Sequence, residues 1–289
     1  MLLGYNTNGF AHHPLEEALV ILSHYGYLSV ALTLDYHALN PFDSALPGQL
    51  RAVGRLLARL RLRSVVETGA RFLLDPRRKH QPTLVDPPQQ AARRLDFLKR
   101  AIDIAHTLGS DAVSFWSGAT DPGTAESVQW KRLIRTCKQL AEYAGEQKVR
   151  LAFEPEPGMF VDTMQRFAHL HEKVNHPAFG LTLDIGHLHC LGEVPIADHL
   201  RRWQQVLWNI HIEDMRRGVH DHLMFGEGEI DFRPVLQTLR EIGYAGGVHV
   251  ELSRHSHDAV NTARRALHFL TTALSWSPPG TEPNDKTNP

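Results

Sequence analysis

Eight short apolar runs, nearly all separated by segments of helical spacing, constrain this chain more than any other feature. The strand-like runs fall at 2–5, 28–35, 64–67, 111–116, 150–154, 179–184, 208–212 and 247–251. Helical spacing of apolar residues predicts helices over 14–24, 50–62, 89–108, 126–147, 164–174, 196–205, 232–242 and 258–274. Strands that alternate with helices pair in parallel, because each helix carries the chain back across the sheet. A doubly wound open sheet is the rival architecture, but eight evenly spaced units favour closure. We therefore expect an α/β fold, a (β/α)8 TIM barrel forming a single domain over 1–276. The tail 277–289, SPPGTEPNDKTNP together with Trp276 before it, is Pro-rich and polar beyond that tryptophan, and disorder is expected there.

Composition excludes several classes. The 289 residues carry a net charge of −1, so there is no general attraction for nucleic acid or an anionic membrane. No run approaches the roughly 18 apolar residues of a membrane span, and the first residues lack a signal-peptide pattern. The only cysteines are Cys137 and Cys190, too few for a disulfide framework. A cytoplasmic protein acting on a small molecule is expected, with a homodimer as the default assembly.

The ends of the later strands carry the chemistry. Run five ends in Glu154, six in Asp184, seven carries His211 beside Asn209, and eight ends in Glu251 beside His249. In each, the polar residue has the parity of the barrel interior while the aliphatic residues face the helices. One carboxylate at a strand end is an ordinary loop start. Four successive ends of metal-ligand type predict a common site at the carboxyl face of the barrel. Two Glu, one Asp and one His form a hard donor set suited to Mn²⁺, Mg²⁺, Zn²⁺ or Co²⁺, and we expect Mn²⁺ or Zn²⁺.

A second group lies close by in sequence. His187 is three residues past Asp184, and His220 and His222 share one face of an extended segment in a polar loop after run seven. These imidazoles either hold a second ion or orient ligands and bind substrate oxygens. The long Pro-rich stretch 71–90 reads as a loop over the site. Arg71 either pairs with Glu67 or meets an anionic substrate, and Trp116 either stacks on a sugar face or fills the barrel mouth. Glu67, Arg217 and His249 complete the expected substrate-facing set.

Glu154 in AFEPEP, Asp184 and His187 in LTLDIGH, His211 in NIHIED, the HDHLMFGEGEI loop and Glu251 in HVELS resemble the xylose-isomerase-like TIM-barrel superfamily. Its members include sugar and sugar-phosphate isomerases and epimerases and the type IV AP endonucleases. The likeness to the epimerases implies that Glu154 and Glu251 both ligate the metal and exchange a proton at the carbon beside a carbonyl, through a metal-stabilised enediolate. It also places His187 and Arg217 near substrate hydroxyls or phosphate. The likeness to the endonucleases implies a further zinc at His187, His220 and His222, and hence a two-metal phosphoesterase as the alternative. Those enzymes also bind zinc through histidines ending strands three and four. Here Glu67 and Trp116-Ser117 occupy those positions, which removes two imidazole ligands.

Overall fold

The computed structural model describes residues 1–275, so Trp276 and the expected tail lie outside the described residues. Eight parallel strands close into a barrel: β1 (Leu2–Asn6), β2 (Ser29–Thr33), β3 (Arg63–Glu67), β4 (Val113–Phe115), β5 (Leu151–Phe153), β6 (Phe179–Asp184), β7 (Leu207–Ile212) and β10 (Gly247–Val250). Neighbours follow chain order, with β10 between β7 and β1, so the expected barrel is the fold. Outside it pack α1 (Leu15–Tyr25), α2 (Leu46–Leu60), α3 (Pro88–Leu108), α4 (Glu126–Glu146), α5 (Met164–Val174), α7 (Ile196–Trp203), α8 (Phe232–Glu241) and α9 (Ala259–Ser275). None of the described helices is long and apolar enough to cross a membrane.

Parity organises the interior. Outward residues such as Phe115, Phe153 and Phe179 pack with Phe167 of α5 in the main core. Inward residues form layers. Val65, Ala112 and Ala152 with Trp208 plug one level of the barrel. A polar layer follows, in which Ser114 bonds Thr182 at 2.9 Å and Ser29 bonds His249 at 2.8 Å. The acidic residues stand above it, at the carboxyl ends of the strands. A β-carbon at Gly4 would overlap the His249 ring, so glycine there lets the imidazole lie inside the barrel.

Two elements depart from the expected pattern. A short helix, α6 (Ile185–Leu191), follows β6 directly, and its N-cap is Asp184, whose Oδ1 accepts from the His187 amide at 2.9 Å. The stretch read as a loop after run seven instead forms a hairpin, β8 (Asp214–Arg216) paired with β9 (Val219–Leu223). Asp214 fastens it. Its carboxylate accepts from the amides of Met215, Gly226 and Ile230 at 2.9, 2.8 and 3.1 Å. Pro88, grouped with the loop prolines in the sequence, instead opens α3, where a missing N–H costs nothing.

The loop between β3 and α3 is held by one buried cation. Arg94 donates to the carbonyls of Pro82, Thr68 and His80 at 2.9, 3.2 and 2.8 Å, and its guanidinium lies over Trp116. Burial lowers its pKa to about 10, which leaves it charged. Arg94→Ala would strand three carbonyls, so a loss of about 2–4 kcal/mol in urea unfolding is expected. A loss below 0.5 kcal/mol would show that the loop is anchored elsewhere.

Candidate metal centre and active-site cavity

Four expected ligands meet. Glu154, Asp184, His211 and Glu251 each offer a donor atom, and the four atoms lie within 4.8 Å of one another. His211 Nδ1 is the centre of the set, 3.0 Å from Glu154 Oε1, 2.9 Å from Glu251 Oε2 and 4.0 Å from Asp184 Oδ2. The barrel order sets the geometry: β6 and β7 separate β5 from β10, so Glu154 and Glu251 reach the centre from strands three places apart in the ring of eight.

The other nitrogen of that ring decides what Nδ1 presents. His211 Nε2 lies 2.9 Å from Glu67 Oε1, and Asn209 Nδ2 also donates to this oxygen at 3.2 Å. With Nε2–H donating to Glu67, the Nδ1 lone pair faces three carboxylates. That arrangement is repulsive unless a proton or a metal ion stands between them. The donor set therefore fits a divalent cation, and Asp184 Oδ2, buried without a hydrogen-bond partner among the described residues, fits it too.

The metal-free electrostatics agree. Burial pushes the Glu154 carboxyl up to about 8 against the pull of His211, and burial likewise raises Glu67. Burial would lower the His211 imidazolium, but Glu154, Glu67 and Glu251 outweigh it and hold the pKa well above the usual histidine value. Burial acts to raise Glu251 also, yet His211, His222 and Asn8 keep it below the carboxylate range. Protons thus hold the place of the ion. A dication must displace them, so Mn²⁺ affinity should rise with pH through the range in which Glu154, near 8, loses its proton. Calorimetric titration from pH 5.5 to 9 checks this, and a flat affinity would contradict it.

The three imidazoles also converge. His187 Nε2 is 3.0 Å from His220 Nε2, which is 3.3 Å from His222 Nε2. The Nδ1 atoms of His187 and His222 face the carbonyls of Pro155 and Glu251, each at 3.2 Å. Those N–H donors leave the Nε2 lone pairs turned to one place. Burial lowers the pKa of His187 to about 4 and lowers that of His220, so both are neutral donors.

Over this floor opens a cavity of about 340 Å³ lined by Glu67, Arg71, Trp116, Glu154, His211 and Glu251 among others. Its size suits a small polar molecule. Two expected substrate residues do not reach it. His249 is fully buried one layer below, bonded to Ser29 and, at 2.8 Å, to Asn209 Oδ1, so it supports the floor. Arg217 sits exposed in the β8–β9 turn over Gly192, its amide bonded to Glu229, because the hairpin carries it away from the mouth. Arg71 pairs with Asp35 at 3.9 Å and not with Glu67, which belongs to His211.

A family model described as xylose isomerase-like TIM barrel matches residues 19–273. The chain belongs to this family. The L-ribulose-5-phosphate 3-epimerase UlaE of Shigella flexneri serotype 5b (strain 8401) is 25% identical over 192 residues, covering 65% of this chain and 67% of that protein. The D-allulose 3-epimerase of Methylomonas sp., solved in complex with D-allulose, superposes with a TM-score of 0.73 at 19% identity, over 94% of this chain and 97% of that one. The IOLI protein, solved with a binding zinc atom, gives a TM-score of 0.75 at 19% identity, over 95% and 98%. At such identities the structural likeness speaks for the barrel alone.

This xylose isomerase-like barrel also brings in residues that the sequence reading left out. Asn8, in a 3₁₀ turn (Thr7–Phe10) after β1, donates to Glu251 Oε1 at 2.7 Å and aims that carboxylate. His80 comes from the long loop, packs edge-on to Trp116 and bonds the Gly69 carbonyl at 2.8 Å. Glu156 and Glu213 continue the inward parity of β5 and β7, a signal the sequence did contain. Lys79 and Arg254 line the mouth and carry no such signal. Glu67 is the supporting group with the most direct hold on a ligand. Glu67→Gln should weaken Mn²⁺ binding about 10–100-fold without unfolding the protein, as read by calorimetry. Unchanged affinity would remove Glu67 from that role.

Proposed function

We propose that the protein is a divalent-metal-dependent epimerase or isomerase of a small sugar, sugar phosphate or related hydroxy-carbonyl compound. The observation that carries this reading is the convergence of Glu154 and Glu251, from different strands, on His211 Nδ1 at 3.0 and 2.9 Å on the floor of an open polar cavity. Glu154, Asp184, His211 and Glu251 would hold the ion. Bound there, a dication supplies Lewis acidity toward a carbonyl and its neighbouring hydroxyl.

The chain's own groups do the proton work. A carbon seated between the two carboxylates presents one face to each. One removes its proton and the other returns a proton to the opposite face, which inverts the centre. Asn8 holds Glu251 in place, while Glu67 and Asn209 fix the His211 ring. Trp116 offers an apolar wall for a sugar face, and Arg71 with Lys79 and Arg254 gives the mouth positive charge for a distal anionic group. The names of the relatives, L-ribulose-5-phosphate 3-epimerase and D-allulose 3-epimerase, support this class of substrate.

The test is solvent exchange: ketopentoses, ketohexoses and their phosphates are incubated in D2O with protein and Mn²⁺ and followed by NMR. Deuterium beside the carbonyl with an epimeric product is the expected result; no exchange across the panel would refute the reading. A second reading, a two-metal phosphoesterase, has its own support in the converging Nε2 atoms of His187, His220 and His222. Release of p-nitrophenol from phosphate esters, without exchange on sugars, would establish it instead.

A further inference from the structure

One imidazole in the cavity wall presents a nitrogen that the protein itself does not use. His80 stands edge-on to Trp116, with ring centroids 5.2 Å apart and planes perpendicular. Its Nδ1 faces the Gly69 carbonyl at 2.8 Å, and a carbonyl can only accept, so Nδ1 carries the proton. Burial, aided by Lys79, Arg94 and Arg71, outweighs that carbonyl and lowers the pKa of the ring to about 4. The ring is thus neutral at ordinary pH, and Nε2 is a lone-pair acceptor. It has no hydrogen-bond partner among the described residues, and the ring lines the open cavity.

The backbone holds this ring in a conformation that a side chain disfavours. His80 has φ +64°, in the left-handed region. Its amide donates to the Arg71 carbonyl at 2.6 Å, and its own carbonyl accepts from the buried Arg94 at 2.8 Å. With the Nδ1 bond, these contacts fix the loop and the ring without any use of Nε2. Strain retained around an unused polar atom in a cavity points to a ligand contact.

The barrel order says which part of a ligand arrives there. The strands that deliver the four proposed metal ligands, β5, β6, β7 and β10, are consecutive and make up one half of the ring. Trp116 follows β4 and the loop of His80 follows β3, both in the other half. A substrate with its carbonyl at the ion therefore reaches His80 with its far end, along the Trp116 wall. A lone pair at that point attracts an O–H donor. It repels an ionised phosphate ester or carboxylate, which offers only lone pairs.

We propose that His80 Nε2 accepts a hydrogen bond from a substrate hydroxyl distal to the reacting carbon, and so selects substrates that carry it. This rests on the epimerase reading above. It adds that the group beside Trp116 is a free hydroxyl, with any phosphate placed away from it.

The experiment uses the full chain with Mn²⁺, the ketose of the exchange panel that reacts fastest, and its singly deoxygenated analogues. The wild type should lose about 10–100-fold in kcat/KM on one distal deoxy analogue, the cost of an unmet polar group. His80→Asn tolerates the left-handed backbone and keeps a donor for Gly69, but its side chain ends short of the Nε2 position. It should lose a similar factor on the parent ketose and little more on that one analogue. His80→Gln, whose amide reaches the Nε2 position, should recover part of the loss. Circular dichroism confirms that both variants are folded.

A loss in His80→Asn that is equal on the parent and on every analogue marks a merely structural role and would overturn the proposal. So would full activity on the parent. Nitrogen-15 NMR of histidine-labelled, Mg²⁺-loaded protein gives a readout apart from turnover. The same ketose at saturation should shift the unprotonated Nε2 resonance that His80→Asn removes, and an unmoved resonance would also overturn the proposal. If the wild type turns over no ketose, the epimerase reading fails and this inference goes with it. Turnover by the wild type without selective loss in His80→Asn removes the role of His80 alone.

Discussion

Glu251→Gln is expected to reduce turnover by about 10³-fold or more while the protein stays folded and keeps most of its metal affinity. The amide has the size of the carboxylate and keeps an oxygen toward the ion, so the change isolates the loss of a proton acceptor. Asn8 donates to Glu251 Oε1 at 2.7 Å, and with the amide oxygen kept toward the ion this contact is remade by the Asn8 amide turning its unpartnered Oδ1 to the new N–H. Glu154→Gln should show the same loss, because each direction of an inversion uses both carboxylates. The half-reactions separate the two. A variant lacking one carboxylate should still exchange solvent deuterium into one epimer of the substrate and not the other. Equal residual exchange into both epimers would mean that a single base serves both faces. Full activity in either variant would remove that residue from proton transfer.

The second large effect concerns the ion. His211→Ala should weaken Mn²⁺ binding by on the order of 10³-fold, since loss of one partner in a buried charged network costs about 3–5 kcal/mol. The change removes the donor at the centre of the set and also the hydrogen-bond partner of Glu67. Three carboxylates are then left facing one another without the ring between them. The metal-free variant should therefore be less stable than the metal-free wild type, and increasingly so as pH rises and the carboxyls ionise. The sign follows from Glu67 and Glu154, whose raised pKa values mean that ionisation opposes the folded state. Thermal melts from pH 5.5 to 9 in chelator read this directly. A metal-free variant that gains stability with pH would contradict the electrostatic account.

The barrel and its central site were legible because both depend on strand parity. Ala152 and Glu154, Thr182 and Asp184, Asn209 and His211 alternate with apolar residues that pack under helices, and alternation survives in the bare sequence. The same rule, carried two residues further, points to Glu213 and Glu156, but the breaks after β7 and β5 concealed it. The α6 helix was missed because Ile185–Leu191 is too short for helical spacing to show and is announced only by its Asp184 cap. His249 was misassigned for a different reason. Parity fixes the side of a strand but not its height, and Gly4 allows this ring to lie inside, one layer beneath the floor. Arg217 depended on the course of a hairpin, and His80 on a loop fixed by Arg94, neither of which has a local signature.

The central claim is that four side chains share one dication. Anomalous X-ray diffraction from a crystal loaded with Mn²⁺, recorded near the manganese edge, tests it most directly. The account predicts a strong peak within coordination distance, about 2.0–2.4 Å, of Glu154, Asp184, His211 Nδ1 and Glu251. A map with no peak among these residues, or with the manganese held elsewhere while their side chains turn apart, would contradict it.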